Sequence, residues 1–236
     1  MNKMVMGDGC WVLALSSWLL ALSPLASADE KLPFQNGETI TYNIEQMKVK
    51  AGTATLTFQG EQKLNDRTVD LIAFKADGFN FLDEETIYVD PTTFLPVLIK
   101  RNLNIFGKKE KITEEYQPDG KIKITKLAGQ KTSQEILTPQ SHAENIYGFI
   151  YRYRKQGSFK IGDTIQLHLP TKDLSIELTK TLKLKTAGQE YDAFYLQSKP
   201  SKYKLWFDAG EHKIPLRIAG AVGIANTVMV MVDYKE

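Results

Sequence analysis

The chain has 236 residues, and its 30 lysines and arginines nearly balance its 28 aspartates and glutamates, which leaves a net charge of +2. Charged residues of both signs make up 25% of the sequence. This balance gives no broad basic surface of the kind that binds nucleic acid, so we expect no nucleic-acid partner. A chain of this length can bury a sizeable core without disulfides.

The chain begins with a predicted signal peptide. Lys3 precedes an apolar run from Trp11 to Leu25, and Ala26-Ser27-Ala28 then places small residues at the −1 and −3 positions of a cleavage site. The run is shorter than the roughly 20 residues of a spanning helix, which favours cleavage over an uncleaved anchor. We expect residues 1–28 to be removed. Residues 29–236 would then be exported as a single β-rich domain that is not an integral membrane protein.

The single cysteine, Cys10, precedes the apolar run, whereas the acylated cysteine of a bacterial lipoprotein follows it. Lipidation is therefore not expected. After cleavage the chain would contain no cysteine, which excludes disulfides and thiol chemistry from the processed protein.

Alternation of apolar and polar residues predicts strands with one buried face over most of the chain. In the first two strands the apolar faces are formed by Ile40, Tyr42 and Ile44, then by Ala54, Leu56 and Phe58. Lys50-Ala51-Gly52 is the predicted turn between them. Further predicted strands are Val69 to Ala76, Ile87 to Val89, Val97 to Ile105, Lys111 to Tyr116, Gly120 to Leu127, Ile165 to Leu169, Leu174 to Leu184, Tyr191 to Leu196, Tyr203 to Phe207 and Thr227 to Tyr234.

One segment, Thr138 to Gly157, has a helical pattern instead. Thr138 can act as N-cap, Pro139 suits the first helical position, and Gly157 can end the helix. Its apolar stripe, at spacings of i, i+3, i+4 and i+7, is Ile146, Phe149, Ile150 and Tyr153. We expect the open or concave face of the sheet to cover this stripe, with Arg152 and Arg154 facing outward or edge-on.

No residue pattern points to catalysis or to a metal. His142, His168 and His212 lack a partner at ligand spacing. The acidic runs Asp83-Glu84-Glu85 and Glu114-Glu115 are interpreted as solvated strand edges, because neighbouring residues of a strand face opposite ways. No nucleophile elbow or phosphate-binding glycine loop is present. We therefore expect a protein that is not an enzyme and has no cofactor.

Two apolar features could instead bind a ligand. The first is Phe79, Phe81 and Leu82, an aromatic segment that can either line a cavity or close the end of the sheet. The second is the helix stripe, which can either cover an apolar cavity or simply pack. Lys108, Lys109 and Lys111 follow Phe106 and could contact an anionic membrane, although lysines also protect strand edges.

Several segments resemble one family of exported bacterial proteins. They are Pro33 to Tyr42, Val49 to Leu56, Tyr88 to Pro96, Tyr151 to Arg154 with Gly162-Asp163, Leu205 to Asp208 and Lys213 to Arg217. In this order they are similar to the domain-of-unknown-function 3108 family. The chain departs from the pattern at Gln46-Met47, where members often carry a tryptophan, and at Pro139-Gln140, where acidic residues are usual.

The resemblance implies a periplasmic protein of the cell envelope, and it provides no catalytic residues. It also implies a mainly β fold, with a curved antiparallel sheet or half-barrel and one amphipathic helix packed against it, similar to periplasmic lipoprotein carriers. Two functions stay open. The protein could bind an apolar or lipidic ligand, a lipoprotein-like ligand, or an envelope protein partner in the concave face. It could alternatively be a structural or assembly factor that acts through surface contacts.

Overall fold

The structure is a computed structural model that describes residues 32–222 and 227–236. The predicted signal peptide and its cleavage site lie outside the described residues. Within the described part, no helix is both long enough and apolar enough to cross a membrane.

Fourteen strands and one helix make up the described residues. Their bounds are β1 Thr39–Gln46, β2 Val49–Leu64, β3 Arg67–Gly78, β4 Phe81–Val89, β5 Pro96–Ile105, β6 Lys108–Tyr116, β7 Ile122–Ala128, β8 Lys131–Leu137, α1 Ile146–Gln156, β9 Thr164–Leu169, β10 Lys172–Thr186, β11 Gln189–Lys199, β12 Lys204–Asp208, β13 Pro215–Ala219 and β14 Thr227–Lys235. All strands belong to one antiparallel sheet, in the order β8-β7-β6-β5-β4-β3-β2-β1-β14-β13-β12-β11-β10-β9. Its two edges, β8 and β9, do not pair with each other, so the sheet is open.

The predicted faces of the first two strands are confirmed, because all six of their apolar residues are buried. The predicted turn at Lys50-Ala51-Gly52 is wrong. The turn consists of Met47 and Lys48, both with positive φ, and Gln46 pairs with Val49. Gly52 lies within β2, where a Cβ atom would stand 2.4 Å from the carbonyl oxygen of Asp77. The glycine allows close strand approach and does not form the turn.

The sheet curves strongly around α1. The amide of Glu144 donates to the carbonyl of His168 on β9, while the side chain of the next residue, Asn145, donates to Glu85 on β4. In a flat sheet these two strands would lie about 43 Å apart, since nine spacings of about 4.8 Å separate them. Neighbouring residues can reach both strands only if the sheet curls, as the predicted half-barrel requires.

The helix begins later than predicted. It starts at Ile146, and Asn145 is the N-cap, with its side-chain oxygen accepting from the amide of Tyr147. Thr138 and Pro139 therefore do not begin a helix. Residues 143–145 cannot be helical, because Glu144 is held against β9 in the hydrogen bond to His168. Gly157 ends the helix as predicted.

The predicted stripe is buried, but the helix is covered on further sides as well. Tyr147, Tyr151 and Arg154 are also buried. The expectation that Arg154 faces outward is wrong, because its guanidinium forms an ion pair with Glu38 in the interior. Arg152 is half-buried and pairs with Glu144. Both guanidinium groups can be withdrawn from solvent because each forms an ion pair with a carboxylate.

Candidate functional site

The interior next to the helix stripe is filled by the protein's own side chains. Phe149 stacks on Tyr153 with ring centroids 5.8 Å apart, and Tyr153 contacts Phe207 of β12 at 5.5 Å. Ile146 and Ile150 are buried in the same cluster. The stripe therefore packs against the concave face of the sheet.

The aromatic segment at the start of β4, Phe79 with Phe81 and Leu82, is divided between three environments. Phe79 lies in the β3–β4 turn with 86% of its surface exposed, while Phe81 is buried in the core. Leu82 points to the outer face of the sheet, where it lines a shallow groove with Glu84 and Asn102. The structure therefore brings Phe81 and the four stripe residues into one core and does not bring Phe79 or Leu82 to it.

Beyond the packed core, the concave face continues into a cleft of about 510 Å³, which we call the polar cleft. One wall is formed by β4, β5 and β6, and the N-terminal end of α1 lies beside it. The turns after β9 and β11 form the opposite side. Its polar lining residues are Glu85, Arg101, Glu114, Tyr116, Glu144, Asn145, Lys172, Lys202 and Tyr203, and its apolar ones include Ile124, Ile146, Leu169, Ala221 and Val222.

An arginine with two carboxylates forms the inner wall of the polar cleft. Arg101 donates from Nε to Asp83 Oδ1 at 2.7 Å and from Nη2 to Asp83 Oδ2 at 2.5 Å. Its Nε also lies 3.3 Å from Glu85 Oε1. The interpretation of Asp83 and Glu85 as solvated residues is wrong. They share the inner face with Phe81 and Ile87, and this i, i+2 alternation with apolar residues was the sequence signal for their burial.

Burial changes the ionisation of this wall. It raises the pKa of Glu85 to about 7, and the charge of Arg101 offsets only part of that rise. Burial also raises the pKa of Glu114 and of Glu144. It acts to lower the pKa of Arg101, but the hydrogen bond and charges of its carboxylate partners outweigh that effect and raise it. Near neutral pH the wall therefore holds a permanent cation and a carboxyl that can release a proton.

The hydroxyl of Tyr147 lies behind this wall. It is buried and has no hydrogen-bond partner among the described residues. Burial raises the pKa of Tyr147 well above its usual value, and the charges of Glu85 and Asp83 raise it further. This hydroxyl is an unused hydrogen-bonding group next to a cluster of charges.

The mouth of the polar cleft is basic. Lys172 begins β10 and Lys202 lies in the turn after β11, and both line the cleft. Burial lowers the pKa of Lys202, and the positive charges of Lys172 and Arg101 lower it further. Two cations repelling one another across an opening favour the binding of an anion between them. Together with the apolar lining, the mouth suits a molecule that has an anionic group and an apolar part.

No cluster of potential metal ligands occurs in the part of the chain that the structure describes. His168 lies 2.9 Å from Asp173, and His212 lies 3.1 Å from Glu236.

The fold defines a class of mainly β proteins in which an open curved sheet encloses one buried helix. Residues 39–233 match the family described as "Protein of unknown function (DUF3108)", and the chain belongs to this family. The resemblance seen in the sequence is thereby confirmed. No curated protein matches the chain.

Two solved structures are similar to this chain at low identity. One is a "putative exported protein with YmcC-like fold" from Bacteroides fragilis, with 8% identity, a TM-score of 0.30, and coverage of 87% of this chain and 98% of that one. The other is a "putative lipoprotein" from Parabacteroides distasonis, with 10% identity, a TM-score of 0.30, and coverage of 88% of this chain and 100% of that one.

Proposed function

We propose that the protein is a non-enzymatic binding protein of the cell envelope and that its ligand is an anionic amphiphile held in the polar cleft. Lys172 and Lys202 would bind the anionic group at the mouth. Leu169, Ala221 and Val222 would contact the apolar part. The ligand thus belongs to the lipidic class, and it enters from the open end of the concave face rather than lying along the helix stripe.

The observation that carries this proposal is the contrast between the two parts of the concave face. Next to the helix stripe, Phe149 and Ile150 have no exposed surface, which leaves no room for a ligand. The polar cleft by contrast is an open depression of about 510 Å³. This volume is within the range of small-molecule sites, and such sites combine apolar walls with a few polar groups, as this one does.

A structural or assembly role has one observation in its favour. The sheet is open, and its edge strand β8 is exposed along nearly its whole length. An unpaired edge can accept a strand from another protein. Lys131 and Glu135 place charges on this edge, and charged edges oppose such pairing, so ligand binding is the function that the geometry supports better.

Native mass spectrometry of the exported chain tests the binding proposal. The probes are lysophosphatidylglycerol, which is anionic, and lysophosphatidylcholine, which is zwitterionic, both below their micelle concentrations. We expect one anionic molecule per chain and at least about tenfold weaker binding of the zwitterionic probe, a difference of about 1.4 kcal/mol.

Matched charge reversals locate the site. Lys202→Glu should weaken binding of lysophosphatidylglycerol at least about tenfold, whereas Lys160→Glu, an exposed lysine in the loop before β9, should leave it unchanged. Equal affinity of the two variants, or no one-to-one complex with the anionic probe, would show that the polar cleft is not the ligand site.

A further inference from the structure

The turns that follow odd-numbered strands all lie at one end of the sheet. From β1 to β8 each strand pairs with the next in antiparallel fashion, so successive turns alternate between the two ends. We call the four segments 47–50, 78–80, 105–109 and 128–131, which contain the turns after β1, β3, β5 and β7, the basic end.

The basic end exposes large apolar side chains. Met47, Val49, Phe79 and Phe106 expose 89%, 68%, 86% and 71% of their surfaces. Turn geometry does not explain these residues. Met47 and Phe106 have φ values of 51° and 49°, in the left-handed region where glycine and asparagine are favoured and bulky side chains are uncommon. Met47 and Phe106 therefore occupy positions that favour other residue types both for backbone conformation and for solvation.

The charge of the basic end is of one sign. Its segments contain Lys48, Lys50, Lys108, Lys109 and Lys131 and no acidic residue. All five lysines are exposed, and none forms a salt bridge within residues 32–222 and 227–236. The turns at the other end of the sheet carry Asp66, Asp90 and Asp119, and two of these aspartates are paired, Asp90 with Arg67 and Asp119 with Lys121. The two ends of the sheet thus differ, because the positive charge of the basic end has no acidic partner among the described residues.

We propose that the basic end docks on the surface of an anionic lipid bilayer. Exposed aromatic and aliphatic side chains flanked by lysines suit the interface, where rings enter the headgroup region and ammonium groups meet anionic lipids. The turns after β1, β3 and β5 form a row about 19 Å long, since four strand spacings separate the first from the third. Several turns would therefore reach the bilayer together.

This docking would also orient the polar cleft. Lys172 and Lys202 follow β9 and β11, and these turns lie at the same end of the sheet as the basic end, because Gln46 at the end of β1 pairs with Thr227 at the start of β14. The side of the polar cleft that these two turns form would then lie toward the bilayer. The docking proposal rests on the exposed turns alone and goes beyond the proposed ligand binding.

Vesicle flotation tests the docking. The exported chain is mixed with vesicles of phosphatidylcholine, with or without phosphatidylglycerol, at low and high salt. We expect binding only to the anionic vesicles and weaker binding at high salt. The double variant Phe79→Ser/Phe106→Ser should bind at least about tenfold less tightly, because each ring loses its burial in the interface. The control is Ile161→Ser, an apolar residue with 57% exposure in the loop before β9.

A site-specific label reports on the basic end itself, so its result does not depend on vesicle binding by residues 1–31. Gln130→Cys places an environment-sensitive dye in the turn after β7, and Lys160→Cys places it before β9, each in a Cys10→Ser background. Anionic vesicles should shift the dye emission to the blue at position 130 and not at position 160. Equal shifts at both positions, no shift at position 130, or unchanged flotation of the Phe79→Ser/Phe106→Ser variant would overturn the proposal. The chain could instead form a dimer in the absence of vesicles. If the Phe79→Ser/Phe106→Ser variant abolishes that dimer, the surface binds a second copy of the chain and the bilayer proposal is wrong.

Discussion

The carboxylate of Glu38 and the guanidinium of Arg154 form a two-pronged ion pair with distances of 2.6 and 2.7 Å, and neither side chain has any exposed surface. The hydroxyls of Tyr151 and Tyr234 donate to the same carboxylate. Arg154 further donates to the carbonyls of Pro33 and His212. The pair therefore joins the start of the domain, the end of α1, the loop before β13 and the last strand.

Glu38→Gln should destabilise the domain by about 3–5 kcal/mol, because it leaves the buried charge of Arg154 without a counter-ion. The measurement is the free energy of unfolding in urea. The control is Lys199→Ala, which breaks the pair with Glu177 at a lysine that is 74% exposed and should cost less than about 1 kcal/mol. Similar losses in the two variants would contradict a central role for the buried pair.

The pKa of Glu85 predicts a specific dependence of stability on pH. The folded pKa of about 7 lies above the ordinary value of 4.5, so the folded protein keeps a proton that the unfolded chain has released between these values. The contribution of Glu85 to stability is thus complete below about pH 4.5, is lost as pH rises to about 7, and then stays constant. The loss is up to about 3 kcal/mol.

Glu85→Gln should remove the pH-dependent contribution of this carboxyl. Between pH 4.5 and 7 the free energy of unfolding of the variant should therefore fall less than that of the natural chain. Glu114 and Glu144 contribute with the same sign and remain in the variant. The measurement is urea unfolding at a series of pH values. Glu84→Gln, on the opposite face of β4, serves as control and should follow the natural chain. If the stability of Glu85→Gln instead falls with pH in parallel with that of the natural chain, the pKa of the Glu85 carboxyl is not raised in the folded protein.

The predicted aromatic segment separates into a core residue and a surface residue. Phe81→Ala should cost about 3–5 kcal/mol of unfolding free energy, because it leaves a cavity in the core. Phe79→Ala should change stability by no more than about 0.5 kcal/mol, since that ring is exposed. Thermal and urea unfolding of both variants check this difference, and a large loss with Phe79→Ala would contradict the placement of the β3–β4 turn.

The unpartnered hydroxyl of Tyr147 predicts an unusual response to mutation. Tyr147→Phe should leave stability unchanged or raise it by up to about 1 kcal/mol, because it removes a buried polar group that forms no hydrogen bond. Tyr42→Phe should instead cost about 1–3 kcal/mol, since the Tyr42 hydroxyl donates to the carbonyl of Pro215 at 2.8 Å. Equal destabilisation of the two variants would mean that the Tyr147 hydroxyl has a partner.

Local patterns were sufficient to predict most of the fold. The alternation in β1 and β2 and the stripe from Ile146 to Tyr153 depend only on residues close in sequence, and both predictions are confirmed. Two strands were missed for local reasons. β8, Lys131–Leu137, is an exposed edge and carries almost no apolar alternation, while β13, Pro215–Ala219, is short and begins with proline.

The polar cleft and the ion pairs could not be predicted in the same way. Glu38 and Arg154 lie 116 positions apart, and only the curvature of the sheet brings them together. Arg101 reaches Asp83 and Glu85 through the pairing of β5 with β4. Strand register decides such contacts, and a one-residue shift would place these side chains on the opposite face. The start of α1 likewise depends on the hydrogen bond between Glu144 and β9.

The most direct test of ligand binding is a titration of the isotopically labelled protein with lysophosphatidylglycerol, followed by NMR. Our account predicts saturable shifts of the Arg101 Nε–H signal and of the amides of Lys172, Lys202 and Tyr203. It also predicts no shift at Lys160 or Asp119. Shifts confined to other regions, or none at any of the four cleft residues, would contradict the proposal that the polar cleft binds an anionic amphiphile.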